Sequence, residues 1–194
     1  MSFASLPFVG LVAAGVILYY LVPKKLQWVV LLLASMVFYL AGEVKSAVWL
    51  VLVAAVTWLT GLLLARQNAR PAPDKQTKAA VRRVKKRICA VCAVLWFGLL
   101  CLMIYWNFTA SALPSALGDK LPRWDFVVPL GLSYFIFQSV GYVIDVYRGK
   151  TDAQKNPLRY GLFVSFFPQM VQGPISRYDQ LAPQLTAERR LDWR

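Results

Sequence analysis

The sequence predicts an all-α protein, a polytopic transmembrane helix bundle with about five spans plus a short re-entrant or interfacial helix. Three observations lead there. Hydrophobic residues make up 58% of the 194 residues and mean hydropathy is +0.51, above the roughly 45–50% apolar content of soluble domains. Five predominantly apolar runs hold 16 to 22 residues each, only the last with an ionisable carboxylate, and a span needs roughly 20 at about 1.5 Å each. The positively charged loops between those runs all fall on one side of the bundle.

The first run, Phe3–Val22, has no basic residue before it and is followed by Lys24 and Lys25. A cleaved signal has the opposite polarity, so this run reads as a retained span. Leu26–Ala41 is a second, somewhat short span and Ser46–Ala65 a third. Between Arg66 and Arg87 nine cations face one carboxylate, Asp74. A short loop so rich in Lys and Arg stays cytoplasmic. That places Pro23–Lys25 and Arg148–Lys155 inside as well. Gly42–Lys45 and Asn107–Asp125 fall outside, with the N-terminus.

Within the basic loop, NARPAPDKQT at Asn68–Thr77 is a soluble connector. The following Lys78–Arg87 is helix-compatible and runs straight into the fourth span, Ile88–Trp106. The cluster RRVKKR at Arg82–Arg87 reads as a topology signal attracted to anionic headgroups, at about 1 kcal/mol per basic residue. It does not read as a nucleic-acid site, because the adjoining span accounts for the charge and no aromatic-lined groove accompanies it. Cys89 and Cys92 form a C-x-x-C at the start of an apolar helix, with Cys101 further along; they read as packing residues rather than a redox or metal motif. Tyr105–Asn107 closes the span, and Pro114 and Pro122 mark an irregular outer loop.

The fifth span, Phe126–Tyr147, carries Tyr134, Gln138, Gly141 and Asp145 at steps of four, three and four, hence on one face. A polar stripe on a spanning helix meets protein or water, not lipid. It lines a substrate channel, or it is a packing seam. In the seam Gly141 permits close approach, Gln138 bonds across helices and Asp145 pairs with Arg148. Leu158–Val171 is too short and, with Pro168, too broken for an ordinary span, and Gly173–Pro174 stops it. Irregular backbone at membrane depth is tolerated only when buried in protein or lining a wet cavity, so the 158–178 stretch reads as re-entrant or interfacial. It brings a second polar group, Gln169, Gln172, Ser176 and Arg177. Arg177 offers a fork of donors to a phosphate or carboxylate, or it serves the carbonyls of the preceding helix end. Thr186–Arg194 looks like the opening of a charged surface helix.

FYLAGE at Phe38–Glu43, YWNF at Tyr105–Phe108, PLGLSYFIFQSVGYVIDVYRG at Pro129–Gly149 and SFFPQMVQGPISRY at Ser165–Tyr178 resemble the membrane-bound O-acyltransferase (MBOAT) family, and its alginate O-acetyltransferase branch above all. The resemblance runs over nearly the whole chain, so residues 1–194 read as the N-terminal part of one membrane domain. It implies transfer of an acetyl group to hydroxyls of an exported polysaccharide in a bacterial inner membrane. The implied donor is acetyl-CoA or an acyl carrier, and further membrane or periplasmic acetylation proteins are implied partners. The family's catalytic histidine belongs to a Trp-His-Gly type motif of later spans. This sequence contains no histidine, so no catalytic residue carries over and the chain is expected to be inactive alone. Gln138, Asp145, Arg148, Gln169 and Arg177 are then funnel or structural residues. A reading from another class is a non-catalytic membrane subunit or transporter fragment, with the broken Leu158–Pro174 segment as a half-helix binding site.

Overall fold

A computed structural model describes residues 6–42, 44–71, 74–112, 131–172 and 176–189, and every regular element among them is helical. In chain order they are α1 (Leu6–Leu21), a 3-10 turn (Lys24–Leu26), α2 (Gln27–Gly42), α3 (Val44–Asn68), α4 (Lys75–Ala112), α5 (Leu132–Arg148), α6 (Pro157–Ser165), α7 (Phe167–Gln172) and α8 (Tyr178–Thr186). Pro23 separates α1 from α2. Its extended backbone (φ −51°, ψ 139°) leaves the helical path, and its carbonyl accepts from Leu26 N at 2.8 Å to start the tight turn.

The third helix is the axis of the fold and packs against α2, α4, α5 and α6. Its sequence explains that. Ser46, Ala47, Leu50, Val53, Ala54, Thr57, Thr60, Gly61 and Leu64 are its buried residues, small side chains recurring at helical spacing. Small residues let backbones approach closely where lipid supplies no hydrophobic drive between helices. Gly61 is the tightest point: a Cβ there would lie 2.8 Å from the Tyr142 ring of α5. The hydroxyls cause no deficit, because Thr57 and Thr60 bond back to Val53 O (2.6 Å) and Val56 O (2.8 Å). Large apolar side chains facing outward, among them Val48, Val51, Leu52, Val91, Val94 and Leu95, form the exposed surface.

Three stretches, Lys24–Gly42, Val44–Asn68 and Lys75–Trp106, are long and apolar enough to cross a membrane. This is a membrane protein. The apolar part of α1, Phe8–Leu21, is shorter, and α5 has 17 residues that include Gln138 and Asp145. The basic stretch 66–87 is not a loop: α3 persists to Asn68 and α4 begins at Lys75, leaving only residues 69–74 between them. The apolar stretch of α4 ends at Trp106, within Tyr105–Asn107 as expected, although the helix itself runs on to Ala112. Glu43, residues 113–130 (with Pro114, Pro122 and the expected start of the fifth span), and the Gly173–Pro174 break lie outside the described residues.

Glycines bound α5 at both ends. Gly131 precedes it at φ 76° and Gly149 follows at φ 71°, conformations that favour a residue without Cβ. Gly149 N donates to Val146 O (3.1 Å) and Lys150 N to Asp145 O (3.0 Å), a Schellman cap. The sixth helix starts cleanly because Asn156 Oδ1 accepts from Leu158 N (2.9 Å) and Arg159 N (3.4 Å), with Pro157 next to it. It stops at Ser165 because Pro168 has no N–H for Val164 O and its ring would strike that carbonyl. Phe166 turns extended (φ −60°, ψ 95°) and α7 begins beyond it. The expected interruption by Pro168 is therefore present, two residues upstream of the proline itself.

The path of α6 to α8 is a return. Phe167 stacks on Phe38 of α2 at 5.2 Å and meets Phe8 of α1 edge-on at 6.1 Å. The chain then comes back to Gln27, whose Nε2 donates to Arg189 O and whose Oε1 accepts from Arg189 N, both at 3.1 Å. Phe38 and Gln27 lie at opposite ends of α2, about 16 Å apart along its axis. Those two bonds also correct the expected tail helix. They use the Arg189 backbone groups a helix would need; Thr186 ends α8, and Ala187 is extended (φ −68°, ψ 135°). Residues 190–194 lie outside the described residues.

Candidate functional site

The polar residues singled out on α5 meet the returning segment. Tyr134 OH donates to Gln169 Oε1 (3.1 Å), and Gln169 Nε2 donates to Ser176 Oγ (2.8 Å), so α5, α7 and the start of the return are tied at one level. One helical turn further, Gln138 Nε2 donates to Phe163 O at 3.1 Å. That carbonyl is among the last four of α6, which have no intrahelical donor. Gln138 is 2% exposed and its Oε1 has no partner among the described residues. The stripe therefore behaves as a seam at Tyr134 and Gln138.

The stripe's other two members behave differently. A Cβ at Gly141 would meet nothing within 4 Å, so close approach belongs to Gly61 instead. Asp145 is half-buried, Arg148 is exposed, and no ion pair joins them among the described residues. The expected pairing is not made; Arg148 lines a cleft with Lys85 and Arg82 of α4 instead. Arg177 occupies the N-cap position of α8. Its carbonyl accepts from Gln180 N (3.2 Å) and Leu181 N (3.0 Å), while its exposed side chain contacts no carbonyl of α7 among the described residues. It does not serve as the terminal cation of the preceding helix. Gln172 ends α7, but the position of its side chain lies outside the described residues.

Below the seam lies a hydroxyl and amide web that the sequence reading missed. Thr57 Oγ1 and Tyr160 OH share a hydrogen bond of 2.9 Å in a fully buried position. Gln154 is the hub: its N donates to Tyr142 OH (3.0 Å) and its Nε2 to Tyr178 OH (2.9 Å). Its O accepts from Trp58 Nε1 (2.8 Å) and its Oε1 from Asn156 N (3.1 Å). The Tyr142, Tyr160, Tyr178 and Phe163 rings pack together, Tyr142 and Tyr160 at 4.6 Å and Phe163 and Tyr178 at 4.9 Å. The sequence reading passed over Asn156–Pro157, a helix-start signal that could have pointed to the web. These are neutral donors and acceptors. They hold a shape and supply no acid–base pair.

Two features border this web. An apolar cavity of about 480 Å³ lies between α1, α2, α7 and α8, with Leu11, Gly15, Phe167 and Leu185 in its wall and Gln169, Tyr19 and Arg189 at its polar edge. Cys89, Cys92 and Cys101 are free thiols on α4, and no group of three His, Cys, Asp or Glu able to hold a metal occurs among the described residues.

No family model matches, and no solved structure matches. The "Probable alginate O-acetylase AlgI" of Azotobacter vinelandii is 34% identical over 176 residues, and that of Pseudomonas putida 32% identical over 175. Each alignment covers 86% of this chain. Over that stretch the chain is similar to proteins named as alginate O-acetylases. It spans about a third of the length of these relatives, 32% and 33% respectively. A "Peptidoglycan O-acetyltransferase" of Helicobacter pylori is 32% identical over a shorter stretch of 82 residues. Two of the four motifs carry the seam residues: Tyr134 and Gln138 lie within Pro129–Gly149, and Gln169 and Ser176 within Ser165–Tyr178.

Proposed function

We propose that this chain is the scaffold portion of a membrane-bound O-acyltransferase that moves an acetyl group onto hydroxyls of an exported polysaccharide such as alginate. The relation to alginate O-acetylases over 86% of its length carries the reading. In this reading α1 to α5 all cross the bacterial inner membrane, with the N-terminus outside and the basic start of α4 in the cytoplasm. The α6–α8 segment is re-entrant: it rises to Phe38 and returns to Gln27, and its Phe163 carbonyl, near the broken end of α6, is met by Gln138, in keeping with what membrane depth requires. Gln138, Gln169 and Arg177 shape a funnel wall, and Asp145 and Arg148 mark its cytoplasmic end. Acetyl-CoA or an acyl carrier is the donor, and membrane or periplasmic acetylation proteins are the partners.

In such a transfer the hydroxyl oxygen attacks the acetyl carbon, the donor leaves with its bonding pair, and a general base takes the hydroxyl proton. No imidazole of this chain does that, since the sequence has no histidine. The chain's share is positioning. A chimera tests this: the matching segment of the Azotobacter vinelandii alginate O-acetylase is replaced by residues 3–185 of this chain. Alginate acetylation in cells should persist. A chimera that reaches the membrane at normal level and acetylates nothing would overturn the proposal.

A further inference from the structure

A cleft of about 500 Å³ opens where the end of α3, the first turns of α4 and the end of α5 meet. Five cations line it: Arg70 just beyond α3, Lys78, Arg82 and Lys85 on α4, and Arg148 on α5; among the described residues no Asp or Glu is in its wall. Lys78, Arg82 and Lys85 follow at steps of four and three, so they share one face of α4. Two contacts hold the walls together. Asn68 Nδ2 donates to Val146 O at 3.2 Å, and the Lys85 ammonium lies 5.4 Å from the centre of the Tyr147 ring.

Cations at helix ends ordinarily serve the terminal carbonyls. Here the backbone already serves two such carbonyls at each end. Gly149 N and Lys150 N satisfy Val146 O and Asp145 O at the end of α5, and Ala69 N and Arg70 N donate to Ala65 O (3.0 Å) and Gln67 O (3.4 Å) at the end of α3. Arg148 is not neutralised by Asp145 either, as described above. Five like charges thus converge from α4, α5 and the α3–α4 connector, with no carboxylate among the described residues of the wall to balance them. Arg82 and Arg148 stand on different helices, and each guanidinium suits one phosphate in a two-pronged contact, with the lysines as point charges beside them.

We propose that this cleft binds a ligand with two closely spaced phosphates, supplied either as a free diphosphate group or as the headgroup of a lipid such as cardiolipin. This does not depend on the acyltransferase reading. The chain is purified in a zwitterionic detergent and titrated with inorganic pyrophosphate against orthophosphate at equal ionic strength. In parallel, retention of cardiolipin against phosphatidylcholine is read by native mass spectrometry. One of the two probes should bind about tenfold tighter than its control. Pyrophosphate binding assigns a soluble source, cardiolipin binding alone a lipid one, and no preference in either arm overturns the proposal.

Joint substitution of Arg82→Gln, Lys85→Gln and Arg148→Gln should weaken the preferred probe about tenfold or more. Arg83→Gln, Lys86→Gln and Arg87→Gln together remove the same charge from outside the cleft and should change little; equal losses would mean diffuse attraction and overturn the site. On the unaltered chain, the bound probe should shield Lys78 and Lys85, but not Lys86, from an amine-specific reagent. Equal shielding of all three refutes the cleft without any variant having to fold.

Discussion

Two glycines one helix apart make opposite demands. At Gly61 an added methyl would meet the Tyr142 ring at 2.8 Å, and that ring is 1% exposed and held by Gln154 N. The ring cannot give way, so Gly61→Ala should destabilise by the ~1–3 kcal/mol of an overpacked core. At Gly141 a Cβ meets nothing within 4 Å, and alanine is favoured over glycine inside a helix by about 0.5–1 kcal/mol. Gly141→Ala should therefore leave the thermal midpoint of the detergent-purified chain unchanged or raise it, while Gly61→Ala lowers it. The reverse order would refute the packing described. Asp145 and Arg148 give a second residue-scale expectation. Because they make no ion pair, Asp145→Asn and Arg148→Gln should add within about 0.3–0.5 kcal/mol in a double-mutant cycle. A coupling well above that would show that the two side chains meet.

At the scale of elements, α6 to α8 are held by few but well-aimed bonds. Hydrogen bonds between membrane helices average about 0.6 kcal/mol, so the Tyr134–Gln169, Gln138–Phe163 and Thr57–Tyr160 contacts together contribute on the order of 2 kcal/mol by that measure. Gln154 is the larger lever, since its side chain serves both Asn156 N and Tyr178 OH. Gln154→Ala leaves both without that partner, at about 1–3 kcal/mol for each buried group left unmade. Hydrogen exchange should then quicken across residues 157–186 while α3 stays protected. Uniform quickening in both would mean that Gln154 is not the local tie.

These bonds also mark where sequence reading stops. Helix existence was legible because hydropathy is written along the chain, and the break near Pro168 because proline acts on its own neighbours. Thr57 and Tyr160 are 103 positions apart, and nothing local to either residue announces the other. Gln138 and Gln169 were legible as polar residues in apolar surroundings. Their partners, a carbonyl at the end of α6 and a tyrosine on α5, came only with the fold. Asp145 misled because spacing along one helix favoured Arg148, whereas that arginine lines a cleft with residues of α4, which local spacing does not reveal.

For the whole molecule, orientation is the open variable with the firmest expectation. The proposed topology places the α3–α4 connector in the cytoplasm and the stretch after α4 outside. With single cysteines at Asn68 and Ser115 in a background freed of Cys89, Cys92 and Cys101, an impermeant thiol reagent on intact cells should label position 115 and spare position 68. Labelling at 68 alone would invert the topology.

The 38-residue α4 has one further consequence. At 1.5 Å per residue it is about 57 Å long, nearly twice the roughly 30 Å of a hydrocarbon core. No proline or glycine interrupts it between Lys75 and Phe97, and sharp kinks in helices arise mostly at such residues. It is a ruler. Arg82 stands about 21 Å along the axis from the buried Trp96, so any anion gripped at the basic end is held at a height set by backbone hydrogen bonds and cannot sink toward the acyl chains.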